Sequence, residues 1–339
     1  MNIFKQSFGI DVSMDTFEAR YGFIDFNQNF SLTKSQSFKN SLAGYKKFLK
    51  WALNNKLSDS LPFAFVMEAT GVYYENLAHF LFNNKLQVAV VLPNKIRNFA
   101  KSLENKSKTD PIDSATITRF ALERKQSLWK PPNPQIKVIR ELTREYHSIK
   151  KISTEIKNQI HAKKYAFNSE KDSIKRKRNI ITLLEKQSKQ IVKQIKDTIK
   201  TIPNLNQKIN NLDTIKGIGF ITIVTVLAET NCFDITSSAK QLTSYAGFDV
   251  VLNNSGKRIG KTSISKKGNK FIRKALFMPA LSAARFNHNL KELYNRLINK
   301  GKNKKLALIA VARKLLTLIF SIWKNNTVYI PNYNTSLNV

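Results

Sequence analysis

Phe63-Ala-Phe-Val-Met-Glu68 is the stretch from which the fold is read: a short apolar run that ends on a carboxylate. Its length and its bounding polar residues predict a strand. Downstream, residues 72–82 have helical spacing, and residues 87–92 form a second apolar strand stopped by Pro93. Upstream, Phe8-Gly-Ile-Asp-Val-Ser13 is a buried strand that again carries a carboxylate. Residues 16–25 and 30–38 read as strands and residues 42–53 as a helix, and the helical pattern returns over 111–123. Three hairpin-connected strands followed by β-α-β units predict an α/β fold, a mixed sheet with helices on its faces.

The Pro131-Pro132-Asn133-Pro134 cluster cannot continue a helix and marks a boundary. Beyond it, Leu142, Tyr146, Ile149, Ile152, Ile156 and Ile160 recur every three or four residues. After a break near 168–172, Ile180, Leu184, Ile191, Ile195 and Ile199 do the same. The pattern predicts a long helical hairpin or coiled coil. A second, mostly helical globular region begins at Leu212. The expected organisation is an α/β domain over 1–130, a helical linker over 131–211, a C-terminal domain over 212–325 and a tail over 326–339.

Charge selects the partner class. The chain of 339 residues holds 57 Lys+Arg against 23 Asp+Glu, a formal net charge of +34. A protein this basic needs a polyanion, and nucleic acid is the first candidate. Residues 151–210 concentrate the excess, with 15 Lys+Arg against 5 Asp+Glu. Within them Lys175, Arg176, Lys177 and Arg178 are candidate phosphate contacts, a solvated polar face being the plainer reading. Cys232 is the only cysteine, which excludes an internal disulfide and a cysteine-based zinc site and fits a reducing cytoplasm. No signal peptide is expected at the N-terminus. Residues 306–323 are apolar but carry Arg313 and Lys314 at their centre, which argues for a buried or DNA-facing helix and against a membrane span.

Asp11 and Glu68 are carboxylates on apolar strands, expensive unless something positive faces them. Asp110 and Asp113, in Lys-Thr-Asp-Pro-Ile-Asp, lie one helical turn apart. Asp110 before Pro111 also suits a helix N-cap, and Asp113 the helix dipole. Taken together, two strand-borne carboxylates and a helix pair are how an α/β nuclease gathers ligands for Mg²⁺ or Mn²⁺. In the second region, Lys216-Gly-Ile-Gly219 before an apolar helix offers backbone N–H groups to phosphate, or is simply a tight turn. Ser255-Gly256-Lys257-Arg258 is a basic turn in which a serine could attack phosphate. Lys266, Lys267 and Arg273 add cations nearby.

These residues resemble a family. Asp11 in Gly-Ile-Asp-Val, Glu68-Ala-Thr-Gly and Lys108-Thr-Asp-Pro-Ile-Asp113 are similar to the acidic tetrad of the DEDD insertion-sequence transposases, relatives of the Piv-type invertases. Gly217-Ile-Gly219, Tyr245-Ala-Gly247, Ser255-Gly256, Ile264-Ser-Lys-Lys-Gly268 and Arg273 resemble that family's C-terminal domain. The resemblance implies an RNase-H-like, RuvC-like first domain, a helical linker and a small helical second domain. It also implies Mg²⁺ or Mn²⁺ on the tetrad, a covalent serine nucleophile matching Ser255, and DNA donors and targets. A guide RNA encoded by the element and dimers assembling to tetramers complete the expectation. Ser263 and Ser265 compete with Ser255 for the serine role. The rival readings are a junction-resolving nuclease, which needs no Ser255, and a non-enzymatic basic RNA-binding protein, which needs no tetrad.

Overall fold

The computed structural model describes residues 3–58, 60–61, 63–103, 109–168, 170–255, 258–260 and 262–331. It divides into two compact units, Met1–Pro131 and Pro132–Val339. In the first, the order is β1 (Ile3–Val12), β2 (Thr16–Asp25), β3 (Phe30–Leu32), β4 (Gln36–Lys39), α1 (Leu42–Asn55), β5 (Phe63–Glu68), α2 (Glu75–Asn83), β6 (Gln87–Val91), α3 (Pro93–Ser102) and α4 (Asp110–Glu123).

The sheet is mixed, in the order β3-β2-β1-β5-β6, with β4 also paired to β2. β1 runs antiparallel to β2 and parallel to β5, which is parallel to β6. Residues 30–38, expected as one strand, are two. Thr33 interrupts them: its hydroxyl oxygen accepts from the Tyr21 N–H at 3.2 Å and its own N–H donates to the Tyr21 carbonyl at 2.9 Å. A side chain thus takes one backbone place in the ladder.

Side-chain alternation sorts the strands onto two cores. Phe8, Ile10, Phe65 and Met67 pack with Phe48 and Leu77 of α1 and α2. Val66 and Ala89 face the other way, against Ile96 and Phe99 of α3 and Ile117 and Phe120 of α4. The helix α3 was not expected from the sequence, where Pro93 read only as a strand stop. Proline at the first helical position is also a helix start, because its missing N–H has no intrahelical partner there.

The second unit holds α5 (Pro134–Tyr165), α6 (Lys171–Lys200), α7 (Leu205–Asp213), α8 (Phe220–Glu229), α9 (Ala239–Tyr245), α10 (Lys270–Phe286), α11 (His288–Asn299) and α12 (Lys304–Asn325). Between α9 and α10 lie the short strands β7 (Val250–Val251), β8 (Asn254–Ser255), β9 (Arg258–Ile259) and β10 (Ser263–Ile264). The α5–α6 hairpin shares one core with the helices that follow: Ile139, Ile195 and Ile199 are buried in the same cluster as Leu212, Val226, Leu276 and Leu315. Helix α12 is long and apolar enough to cross a membrane by length and composition. Its Val311, Leu315 and Ile319 are fully buried in this core. Cys232 is half-buried, and burial, with Asp234 beside it, pushes its thiol up to about 12.

Candidate active site

Asp11 and Glu68 lie at the same end of neighbouring parallel strands. The register pairs Ile10 with Met67, so the two carboxylates stand one step further along, side by side. Alternation turns both away from the Phe8 core and toward the face that carries α3 and α4. The Thr70 hydroxyl donates to Glu68 Oε1 at 3.3 Å.

Helix α4 brings the other pair. Its cap is Thr109, in extended conformation, whose carbonyl accepts from the Asp113 N–H at 2.9 Å. The cap expected at Asp110 is thereby corrected by one residue. Asp110 and Asp113 both lie in the first turn, where carboxylates favour the helix dipole. The helix is tied at both ends. Arg20 Nη2 of β2 donates to the Pro111 carbonyl at 3.2 Å, and Lys5 Nζ reaches the carbonyls of Ala121, Leu122 and Arg124 at 2.5, 3.2 and 2.8 Å. Gly9 lets α4 approach the sheet: a Cβ there would fall 2.7 Å from the Thr118 Cα.

The result is one cleft of about 580 Å³ lined by Asp11, Glu68, Asp110 and Asp113. Arg97 and Lys101 of α3 line it too, with Thr70 and Tyr73. Sequence reasoning missed these cations because it missed α3; the spacing of Ile96, Phe99 and Leu103 after Pro93 was the available signal. Among the described residues, no three His, Cys, Asp or Glu side chains converge into a preformed metal cage. The carboxylates form separate walls of one cleft, an all-oxygen donor set of the kind hard divalent cations prefer.

In the second unit, Ser255 is exposed on β8, opposite Arg258 of β9. Lys257 lies outside the described residues, as does Lys108. Ser263 is exposed on β10, whereas the Ser265 hydroxyl is buried and has no hydrogen-bond partner. The segments around Tyr245–Gly247 and Ile264–Gly268 are laced together: Ser265 N–H donates to Asp249 O, Lys266 N–H to Gly247 O and Asn269 N–H to Tyr245 O. Arg273 Nη1 donates to the Ala246 carbonyl at 2.7 Å, so part of that guanidinium is occupied within the fold. Lys266 and Lys267 are exposed.

The Gly-x-Gly turn divides into two roles. Gly217 has φ +104°, and a Cβ there would lie 2.6 Å from the Ala283 Cα, so close packing on α10 alone requires it. Gly219 caps α8 with open space beside it, and Lys216 is exposed. Lys175, Arg176 and Arg178 are exposed on α6. Lys177 is half-buried and donates to Gln159 at 2.6 Å.

A buried carboxylate was also missed. Glu229, at the end of α8 and 2% exposed, accepts from Arg144 Nε and Nη2 at 2.6 and 2.9 Å and from Asn269 Nδ2 at 2.7 Å. Its own hydrogen bonds to Glu229 raise the Arg144 guanidinium above its ordinary value. Asn269 caps α10, so Glu229 ties α5 and α8 to the helix that follows the Ile264–Gly268 segment. Nearby, burial beside Lys274 lowers the His147 imidazole, whose Nε2 lies 3.1 Å from Thr225 Oγ1.

A sheet-and-helix cleft with four carboxylates, and a basic helical unit with an exposed serine, define a nucleic-acid-processing protein. Its kinship is narrower than that. Residues 8–163 match a transposase family model of the DEDD type, and residues 209–295 match the model described as "Transposase IS116/IS110/IS902 family". The chain is 32% identical to the pilin gene-inverting protein of Moraxella bovis over 326 residues, 95% of this chain and 97% of that one. The pilin gene-inverting protein of Moraxella lacunata is equally similar, at 32% over the same length. An IS110 protein of Streptomyces coelicolor is 25% identical over 118 residues, 35% of this chain and 29% of its own. The chain belongs to the IS110 transposase family, and its activity is that of a DNA transposase or recombinase.

Proposed function

We propose that the protein cleaves and exchanges DNA strands through Asp11, Glu68, Asp110 and Asp113 in a RuvC-like unit, with Ser255 as a covalent nucleophile. What supports this reading most is the shared cleft: carboxylates from two strands and one helix line a single space. Divalent cations held there, Mg²⁺ or Mn²⁺, would activate the attacking oxygen and stabilise the leaving one. Arg97 and Lys101 orient a phosphate of the strand beside the carboxylates.

Attack by the Ser255 Oγ forms a serine–phosphorus ester as the bond from phosphorus to the leaving sugar oxygen breaks. A carboxylate of the acidic cleft in another copy takes the hydroxyl proton, and the leaving oxygen gains one. One ester replaces another, so the strand is rejoined without a nucleotide cofactor. Arg258, across β8–β9 from Ser255, is placed to offset charge developing on the phosphate. Lys175, Arg176, Lys177, Arg178, Lys216, the Gly219 amide, Lys257, Lys266, Lys267 and Arg273 serve nucleic-acid contact. An element-encoded RNA guides donor and target, and the working form is a dimer that assembles to a tetramer.

The test is strand exchange by an Asp11→Asn/Glu68→Gln double variant. The expected result is lost exchange with nucleic-acid binding retained, since no basic residue changes. Full exchange by this variant overturns the reading.

A further inference from the structure

Two aromatic rings stand in solvent at the tip of the α5–α6 hairpin. Tyr165, the last residue of α5, is 80% exposed, and Phe167 in the turn is 93% exposed. The His161 ring, one turn back, has its centroid 4.9 Å from that of Tyr165. None of the three belongs to the core on which the hairpin packs.

The chain around them is basic. Residues 161–178 hold seven Lys or Arg against two Asp or Glu. Arg176 donates to Glu170 at 3.1 Å, which spends part of one cation, while Lys164, Lys171, Lys175 and Arg178 are exposed. Charge narrows the occupant. A second copy's tip carries the same excess and is repelled. A polyanion is attracted, and exposed rings among cations are how a protein holds a strand whose bases are unpaired. Duplex DNA keeps its base faces covered by their neighbours, whereas a single strand presents them.

We propose that the hairpin tip binds unpaired nucleotides, with bases stacked on Tyr165 and Phe167 and phosphates met by the flanking lysines and Arg178. This rests on the reading of the hairpin surface as facing nucleic acid and adds a base-stacking site to it. RNA and single-stranded DNA share the chemistry, so both serve as probes.

The full-length protein is titrated with an oligouridylate, an oligothymidylate and a duplex of the same length. Tyr165→Ala/Phe167→Ala should weaken binding to at least one single strand by about fivefold or more per ring, with duplex affinity unchanged. Loss on the oligouridylate alone supports the proposal with RNA as the source, and loss on the oligothymidylate alone supports it with DNA. Phe167→Leu, apolar but without a π face, should behave like alanine, and Phe167→Tyr like the parent. Unchanged single-strand affinity in the double variant overturns the proposal, as does an equal loss on duplex. So does an assembly mass that falls when the rings are removed, which would give the tip to a second copy. The Asp11→Asn/Glu68→Gln variant should keep the tip's binding, so failure of either reading leaves the other standing.

Discussion

Thr118 of α4 sits directly over Gly9 of β1, so near that a Cβ on the glycine would lie 2.7 Å from the Thr118 Cα and closer still to its amide nitrogen. Gly9 is two residues from Asp11, and Thr118 is on the helix that begins with Asp110 and Asp113. The contact therefore sets how closely the two carboxylate pairs face each other.

Gly9→Ala is expected to push α4 off the sheet. Overpacking of this kind costs about 1–3 kcal/mol, and here the obstacle includes backbone that cannot rotate away. Strand exchange should fall far more than thermal stability, because Asp110 and Asp113 move with the helix. Thr118→Ala should not rescue it, since the amide and Cα remain. Measured exchange rates near the parent's in Gly9→Ala would show that the spacing does not matter.

Breaking the Glu229 site should act on the second unit. Loss of one partner from a fully buried ion pair costs about 3–5 kcal/mol. Arg144 is 45% exposed and is rehydrated when freed, so Glu229→Gln is expected to cost less, about 2 kcal/mol. The amide keeps one accepting oxygen in place of two, so the three donors from Arg144 and Asn269 can no longer all be met. Chemical denaturation of parent and variant checks the figure. A variant as stable as the parent would reduce the pair to a surface contact.

Much of the first unit was legible because its signals are local. β2 and β5 have the bounds that apolar runs and turn residues predicted. Asp11 and Glu68 declared themselves as carboxylates where burial penalises them. What the sequence hid depends on distant partners. Thr33 splits a strand only because Tyr21 lies opposite, and Glu229 reads as an ordinary helix end until Arg144, 85 residues away, is packed on it. The α3 cations were hidden for another reason: Pro93 ends a strand and starts a helix with the same lack of an N–H.

Ser255 is expected to be found joined to DNA. Trapping the reaction on a nicked substrate, digesting it and locating the adduct by mass spectrometry should place it on the Ser255 hydroxyl, and Ser255→Ala should bind DNA without forming one. Exposed Ser263 is the informative competitor, whereas the Ser265 hydroxyl is buried. Cleavage with no protein–DNA adduct would assign the chemistry to direct hydrolysis in the acidic cleft.

The most direct test of the acidic cleft is Mn²⁺ binding by the full chain, followed by paramagnetic resonance without any DNA present. Clustered carboxylates repel one another, and a bound divalent cation removes that repulsion. The parent should bind Mn²⁺ with Mg²⁺ in competition, and the Asp11→Asn/Glu68→Gln variant should lose that binding while its thermal transition stays cooperative. Equal Mn²⁺ binding by parent and variant would contradict the assignment of Asp11, Glu68, Asp110 and Asp113 as the metal-holding set.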